Sequence, residues 1–153
     1  MIIIGYQGIG KSTVSSIETG CIDLESSNFW INGKRHDDWY VPYCNIALQL
    51  SKQGYTVFVS SHKEVRDYLL PFATSGTSEF IVCMYPGEIL KDEWIERLRS
   101  RYVKTPSKKN QKALMNAVDR FEENIDELRN WGGFTWCIDS MKYSLIDIIN
   151  SLR

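Results

Sequence analysis

The first dozen residues, "MIIIGYQGIGKS", place Gly5, Gly8 and Gly10 immediately ahead of Lys11 and Ser12. The spacing is G-x-x-x-x-G-K-[ST], and each residue type in it suits the binding of phosphate. Glycines let the backbone curl with its N–H groups turned inward, a lysine reaches the β and γ phosphates, and a serine hydroxyl can ligand Mg²⁺. An apolar run precedes the loop and "STVSSI", suited to open a helix, follows it, so bound phosphates would lie on a helix N-terminus. The combination predicts a site for ATP or GTP built from Gly5, Gly8, Ile9, Gly10, Lys11, Ser12 and Thr13.

Such a loop needs a scaffold. "MIIIG", "CIDLE", "YTVFVSS", "EFIVCMYP" and "FTWCIDS" are short, apolar and rich in β-branched or aromatic residues, as strands buried on both faces are. Helical patterns lie between them. Trp39, Tyr43, Ile46, Ala47 and Leu50 share one face at a 3.6-residue period, with Pro42 tolerable near the first turn and Gly54 placed to stop the helix. Further helices are predicted from Ser61 through "KEVRDYLL" into Pro71, over "KDEWIERLRSRY", from about Gln111 to Trp131, and over "SLIDIINSLR". Strands alternating with helices imply a parallel sheet with right-handed crossovers, a three-layer α/β domain. Residues 26 to 38, with an Asn32-Gly33 turn signal, and the basic stretch 102 to 110 around Pro106 read as loops.

The bulk properties fit one domain spanning 1–153. A net charge of −1, from 18 Lys and Arg against 19 Asp and Glu, provides no global field for nucleic acid or an anionic membrane, so neither is expected as a partner. No apolar run approaches the roughly 20 residues that cross a bilayer. A strand-like start at Ile2 without a basic leader predicts no signal peptide and a cytoplasmic protein. The four cysteines, Cys21, Cys44, Cys83 and Cys137, lie far apart with no C-x-x-C pair, and three of them sit in strand-like segments where a thiol acts as a small hydrophobe. Nothing fixes the oligomeric state, and a homodimer stays open.

The glycine pattern G-x-x-G-x-G-K-S resembles the loop of small-molecule P-loop kinases such as adenylate, shikimate and gluconate kinases. That resemblance implies a five-stranded sheet of order 2-3-1-4-5 with a short lid, here about 102–110. "CIDLESSNF" looks like the Asp-x-Asp segment with which shikimate and gluconate kinases meet acceptor and metal, Asp23 matching the first acid and Glu25 replacing the second. "VFVSSHKEVRDYL" is similar to a gluconate kinase stretch whose helix carries an arginine, matched by Arg66. "WIERLRSRY" resembles the helix leading into the lid, with Arg97 and Arg101 at the arginine positions, and "DRFEENIDEL" the helix after it, with Arg120 facing phosphate. One departure is plain: the third strand ends Ser60-Ser61-His62, where adenylate kinases place a metal-holding aspartate.

Phosphoryl transfer asks a protein mainly for positioning and charge neutralisation. Lys11 and the loop amides would hold ATP, and Ser12 and Asp23 would hold Mg²⁺. Asp23, the only acid directly after a core strand on the phosphate side, would orient or deprotonate the acceptor oxygen. Arg97 and Arg101 would cover the transferring group. Arg35 and Arg66 would meet an anionic acceptor, since each fork binds two oxygens, with Glu25, His62 and Arg120 as further substrate contacts. Each has a plainer alternative. Asp23 and Glu25 suit a strand end and a helix cap, Arg97 and Arg101 could pair with Glu93 and Glu96, Arg120 could be a solvated face residue, and His62 could cap a helix. Phe29, Trp30, Trp39 and Tyr40 would form either a platform for a nucleobase or core packing. The expectation is a small kinase moving the γ-phosphoryl of ATP to a nucleotide or nucleoside, a deoxynucleoside monophosphate foremost. The compact build also resembles nucleotide kinase-like proteins of bacterial viruses. The alternatives are a gluconate- or shikimate-type hydroxyl kinase, a kinase acting on a modified DNA base, and an ATP-binding regulatory module without a small acceptor.

Overall fold

The three isoleucines after Met1 are wholly buried and form the centre of the molecule. In the computed structural model, which describes residues 1–74 and 79–153, they make up most of β1 (Ile2–Gly5). β2 (Cys21–Asp23), β3 (Thr56–Ser60), β4 (Ile81–Pro86) and β5 (Phe134–Ile138) complete one all-parallel sheet. Its order is β2-β3-β1-β4-β5, the order implied by the kinase resemblance. The register sets Gly5 level with Ser60 and Met84, and Asp23 level with Phe58. Gly5, Asp23 and Ser60 therefore reach the same carboxyl edge of the sheet, the edge where ligands of open α/β sheets bind.

Among the described residues there are six α-helices, five between strands, α1 (Lys11–Ile17), α2 (Tyr40–Lys52), α3 (Lys63–Thr74), α4 (Lys91–Lys104) and α5 (Lys108–Arg129), and one after β5, α6 (Leu145–Leu152). Helices α2, α3 and α5 pack on the sheet, and α4 packs on α5. Their inward residues, among them Tyr43, Leu69, Trp94, Phe121 and Ile149, close a continuous apolar core with the strands. Among the described residues no helix is long and apolar enough to cross a membrane.

Four expectations are corrected. The basic stretch 102–110 is mostly helical: α4 runs through Lys104 and α5 starts at Lys108, leaving Thr105, Pro106 and Ser107 as the connection. Ser107 explains the early start, because its hydroxyl accepts from the Asn110 N–H at 3.1 Å and caps α5, an arrangement that overrides the loop-like composition. Helix α5 in turn departs from helical geometry at Arg120 (φ −139, ψ 27). Helix α3 passes Pro71 and ends at Thr74, the proline falling in its last turn. Strand β5 is an edge strand and not buried on both faces; Phe134 is 49% exposed, and Cys137 is exposed while the other three cysteines are buried. Within 26–38 a 3-10 turn (Ser26–Phe29) and a small bridged turn between Ile31 and Lys34 give the segment local order. Asn32 and Gly33 both take positive φ there, 51° and 73°, as the turn signal demands.

Candidate functional site

The loop between β1 and α1 has the shape that its glycines permit. Gly8 and Gly10 adopt φ of 88° and 107°, and a Cβ on Gly5 would stand 2.5 Å from Ile9 Cδ1. Gly10 opens α1 with no side-chain cap, so the first N–H groups of that helix have no side-chain acceptor. Lys11 lies back across the loop, its Nζ donating to the Gly5 carbonyl at 3.1 Å. A methyl group on Gly8 would sit 3.1 Å from Leu98 and 3.2 Å from Trp94 in a backbone conformation that costs an L-residue about 1–2 kcal/mol. Gly8→Ala is therefore expected to lower the thermal unfolding midpoint by about 2–8 °C, readable by calorimetry, and to weaken nucleotide binding in parallel.

Three side chains hold the loop from outside. Trp94 Nε1 donates to the carbonyl of Gln7 at 2.8 Å, Arg97 to that of Gly8 at 3.0 Å, and the Tyr143 hydroxyl to that of Ile9 at 2.7 Å. Arg97 also donates to the Tyr143 hydroxyl at 2.8 Å and stacks over the rings of Trp94 (4.5 Å) and Tyr143 (5.4 Å). In a planar trans peptide the N–H points opposite its C=O. Three successive carbonyls drawn outward thus turn the N–H groups of Gly8, Ile9 and Gly10 the other way, which is the requirement for an anion nest. Trp94 and Tyr143 went unnoticed in the sequence. The three-residue spacing of Trp94 and Arg97 on one helix is the only local signal of this clamp; Tyr143 has none. Arg97 pairs with neither Glu93 nor Glu96, and it is Arg99 that meets Glu96. Beside the clamp a cavity of about 360 Å³ is lined by loop residues, Thr13, Val14, Arg97, Tyr143 and Leu145.

Asp23 lies within electrostatic reach of Lys11. Burial raises the Asp23 carboxyl above its usual pKa and Lys11 opposes that rise; burial of the Lys11 ammonium lowers its pKa to about 8, opposed in turn by Asp23. Each is thus the other's main charge partner. Arg101 lies within electrostatic reach of both, held by a 2.8 Å bond from its Nε to Asn110 Oδ1. Glu25 is bound to Lys109 of α5 at 2.6 Å, a contact that spans the approach to Lys11 and Asp23. Tyr43 fastens the strand ends together, its hydroxyl donating to the Leu24 carbonyl at 2.6 Å and accepting from the Ser60 N–H at 2.9 Å.

Four other expected contacts are placed differently. Arg66 is buried, donates to the Ser61 carbonyl at 3.0 Å and pairs with Glu127 at 2.9 Å, which occupies its guanidinium inside the protein. Arg120 pairs with Glu123 on an exposed helix face at 3.0 Å. Arg35 lies 4.6 Å over the ring of Trp39 and lines a second cavity of about 230 Å³ with His36, Asp37, Trp39 and Glu64. His62 bonds the Ser60 hydroxyl at 2.8 Å and packs edge-on against Trp39. Trp39, only 4% exposed, is enclosed by Tyr40, Tyr43, His62 and Arg35, so most of its ring is core packing.

Comparison with known proteins adds little to this geometry. No protein-family model matches the chain, and no curated protein matches it. Among solved structures it is similar to a "putative kinase" from Chloroflexus aurantiacus. The two are 16% identical, with a TM-score of 0.46 over 99% of this chain and 96% of that one. So slight a likeness carries no argument about activity, and the reading below rests on the site.

Among the described residues no three His, Cys, Asp or Glu side chains converge as a metal cage. Mg²⁺ requires no such cage; it commonly takes one or two protein ligands, with substrate phosphates and water completing the octahedron. The exposed Ser12 hydroxyl at the start of α1 and the Asp23 carboxyl beside Lys11 fit that pattern. Lys11 also sets a pH dependence. A polyphosphate bound there would favour its charged form, which burial makes the free protein give up as pH rises through about 8. ATP affinity is expected to show no Lys11-dependent change below that pH and to fall by up to about tenfold per unit above it. Titration calorimetry from pH 7 to 9.5 checks this, and Lys11→Ala should abolish the slope.

Proposed function

We propose that the chain is an ATP-dependent phosphotransferase, moving the γ-phosphoryl of ATP to a nucleotide or nucleoside held beyond the carboxyl ends of β2 and β3. The observation that carries the reading is the set of three outward-bonded carbonyls at Gln7, Gly8 and Ile9 ahead of Lys11, whose main charge partner is Asp23. In this reading the loop amides and the opening N–H groups of α1 hold the β and γ phosphates, and Lys11 exchanges the Gly5 carbonyl for them. The cavity between Arg97, Tyr143 and Leu145 seats the donor base, so Arg97 serves the loop and the base. Arg101, one turn further along α4, is left to meet the transferring group. Asp23 orients the acceptor oxygen and takes its proton. Mg²⁺, when bound at Ser12 and Asp23, would neutralise charge developing on the phosphates.

The deciding experiment supplies ATP and Mg²⁺ with a panel of nucleotides, nucleosides and sugar acids, and reads ADP release together with product mass. A phosphorylated acceptor formed over many turnovers supports the proposal. ADP formed at one rate whatever the acceptor would favour an ATP-binding regulatory module instead.

A further inference from the structure

The charges around the acceptor side narrow the substrate class, an inference that rests on the phosphotransferase reading above. Two arginines were expected to face the acceptor, and the fold removes one of them: Arg66 is buried against Glu127 and the Ser61 carbonyl. The remaining cation, Arg35, stacks on Trp39 and shares its cavity with Asp37 and Glu64, so one guanidinium faces two carboxyls. Lys63, the nearest lysine along α3, is engaged by Asp67 at 2.6 Å. The cavity also lies at the level of the transfer site. Trp39 in its lining packs against His62, His62 is bound to Ser60, and Ser60 is in register with Gly5.

A phosphomonoester brings nearly two negative charges, and proteins that bind one surround it with arginines or N–H groups. A cavity holding more carboxyl than guanidinium groups repels such a ligand. The same side chains suit a ligand with hydroxyl and N–H groups to donate to Asp37 and Glu64 and acceptors for Arg35. We infer that the acceptor is an uncharged alcohol of the nucleoside class, and not a nucleoside monophosphate. The step is balanced as follows. The alcohol oxygen forms a bond to the γ-phosphorus, the bond from that phosphorus to the β,γ-bridging oxygen breaks with its electron pair retained on ADP, and the hydroxyl proton passes to Asp23. The products are ADP and the phosphate monoester of the alcohol.

Matched series test this on the wild-type protein with ATP and Mg²⁺: the common ribo- and deoxyribonucleosides, their 5′-monophosphates, and the anionic sugar acids gluconate and shikimate. ADP formation and product mass are read for each. The expected result is a kcat/KM for at least one nucleoside about tenfold or more above that of its monophosphate. The double variant Asp37→Asn, Glu64→Gln should shift that ratio toward the monophosphate by about tenfold. A monophosphate or sugar acid as the preferred acceptor of the wild type overturns the inference while leaving the phosphotransferase reading intact. ADP release no faster with any acceptor than without one overturns both.

Discussion

Lys11→Ala is expected to cut phosphoryl transfer by about 10² to 10³ in kcat, the cost of removing one charged donor aimed at the reacting phosphates. It should also weaken ATP binding by roughly ten- to a hundredfold, corresponding to a hydrogen bond to a charged group of about 1.5–3 kcal/mol. The structure adds a second, opposite expectation. In the free protein the ammonium is buried, lies 3.1 Å from the Gly5 carbonyl and has its pKa lowered to about 8, so it gains less there than it would in water. Its removal should leave the melting temperature of the nucleotide-free protein no lower than wild type. Activity lost at undiminished stability marks a residue placed for a ligand. Unchanged ATP affinity and rate in this variant would remove the phosphate-loop assignment.

Asp23→Asn should fail differently. The amide keeps the shape of the carboxyl but gives up its charge and proton-accepting capacity, so the transfer rate is expected to fall by about 10² to 10⁴. ATP binding through the loop should survive within a fewfold, because none of the three clamp bonds to the loop carbonyls involves Asp23. Single-turnover rates and ATP affinity, measured on the same preparations, separate the two variants. Full transfer activity in well-folded Asp23→Asn would make Asp23 a strand-end residue and send the search for the proton acceptor to Glu25 or His62. Of these, His62 carries the stronger case, since Glu25 is already held by Lys109.

What was legible in the sequence was local. Gly5, Gly8, Gly10, Lys11 and Ser12 declare their loop by spacing, because the conformation they need is fixed within a few bonds. The five strands follow from runs of β-branched residues, and Asn32-Gly33 from its positive φ values. Contacts between distant segments were not legible. Trp94 and Tyr143 reach the loop from 87 and 134 residues away, and no composition rule links an indole or a phenol to a particular carbonyl. Arg66 was assigned to the acceptor because a free guanidinium suits one; Glu127, 61 residues on, occupies it in the fold. The stretch 102–110 misled for a different reason. Pro106 and its lysines suggested an open loop, whereas lysine is a good helix former and Ser107 supplied the cap that starts α5 early.

That early start, taken with the break at Arg120, gives the molecule a mechanical character. Beyond the break the outer part of α5, from Lys108 to Asp119, is a stiff rod about 18 Å long at 1.5 Å per residue. The rod does not stand free: Asn110, Ala113 and Ala117 along it are buried, and it packs against α4. Lys109 sits in its first turn, where the 2.6 Å ion pair with Glu25 ties the rod to the segment after β2. The companion arm, α4, is fixed at its base by buried Trp94 and Leu98. With only Thr105, Pro106 and Ser107 joining the arms, α4 and α5 form a braced hairpin, cross-linked beside its turn by the 2.8 Å bond from Arg101 to Asn110.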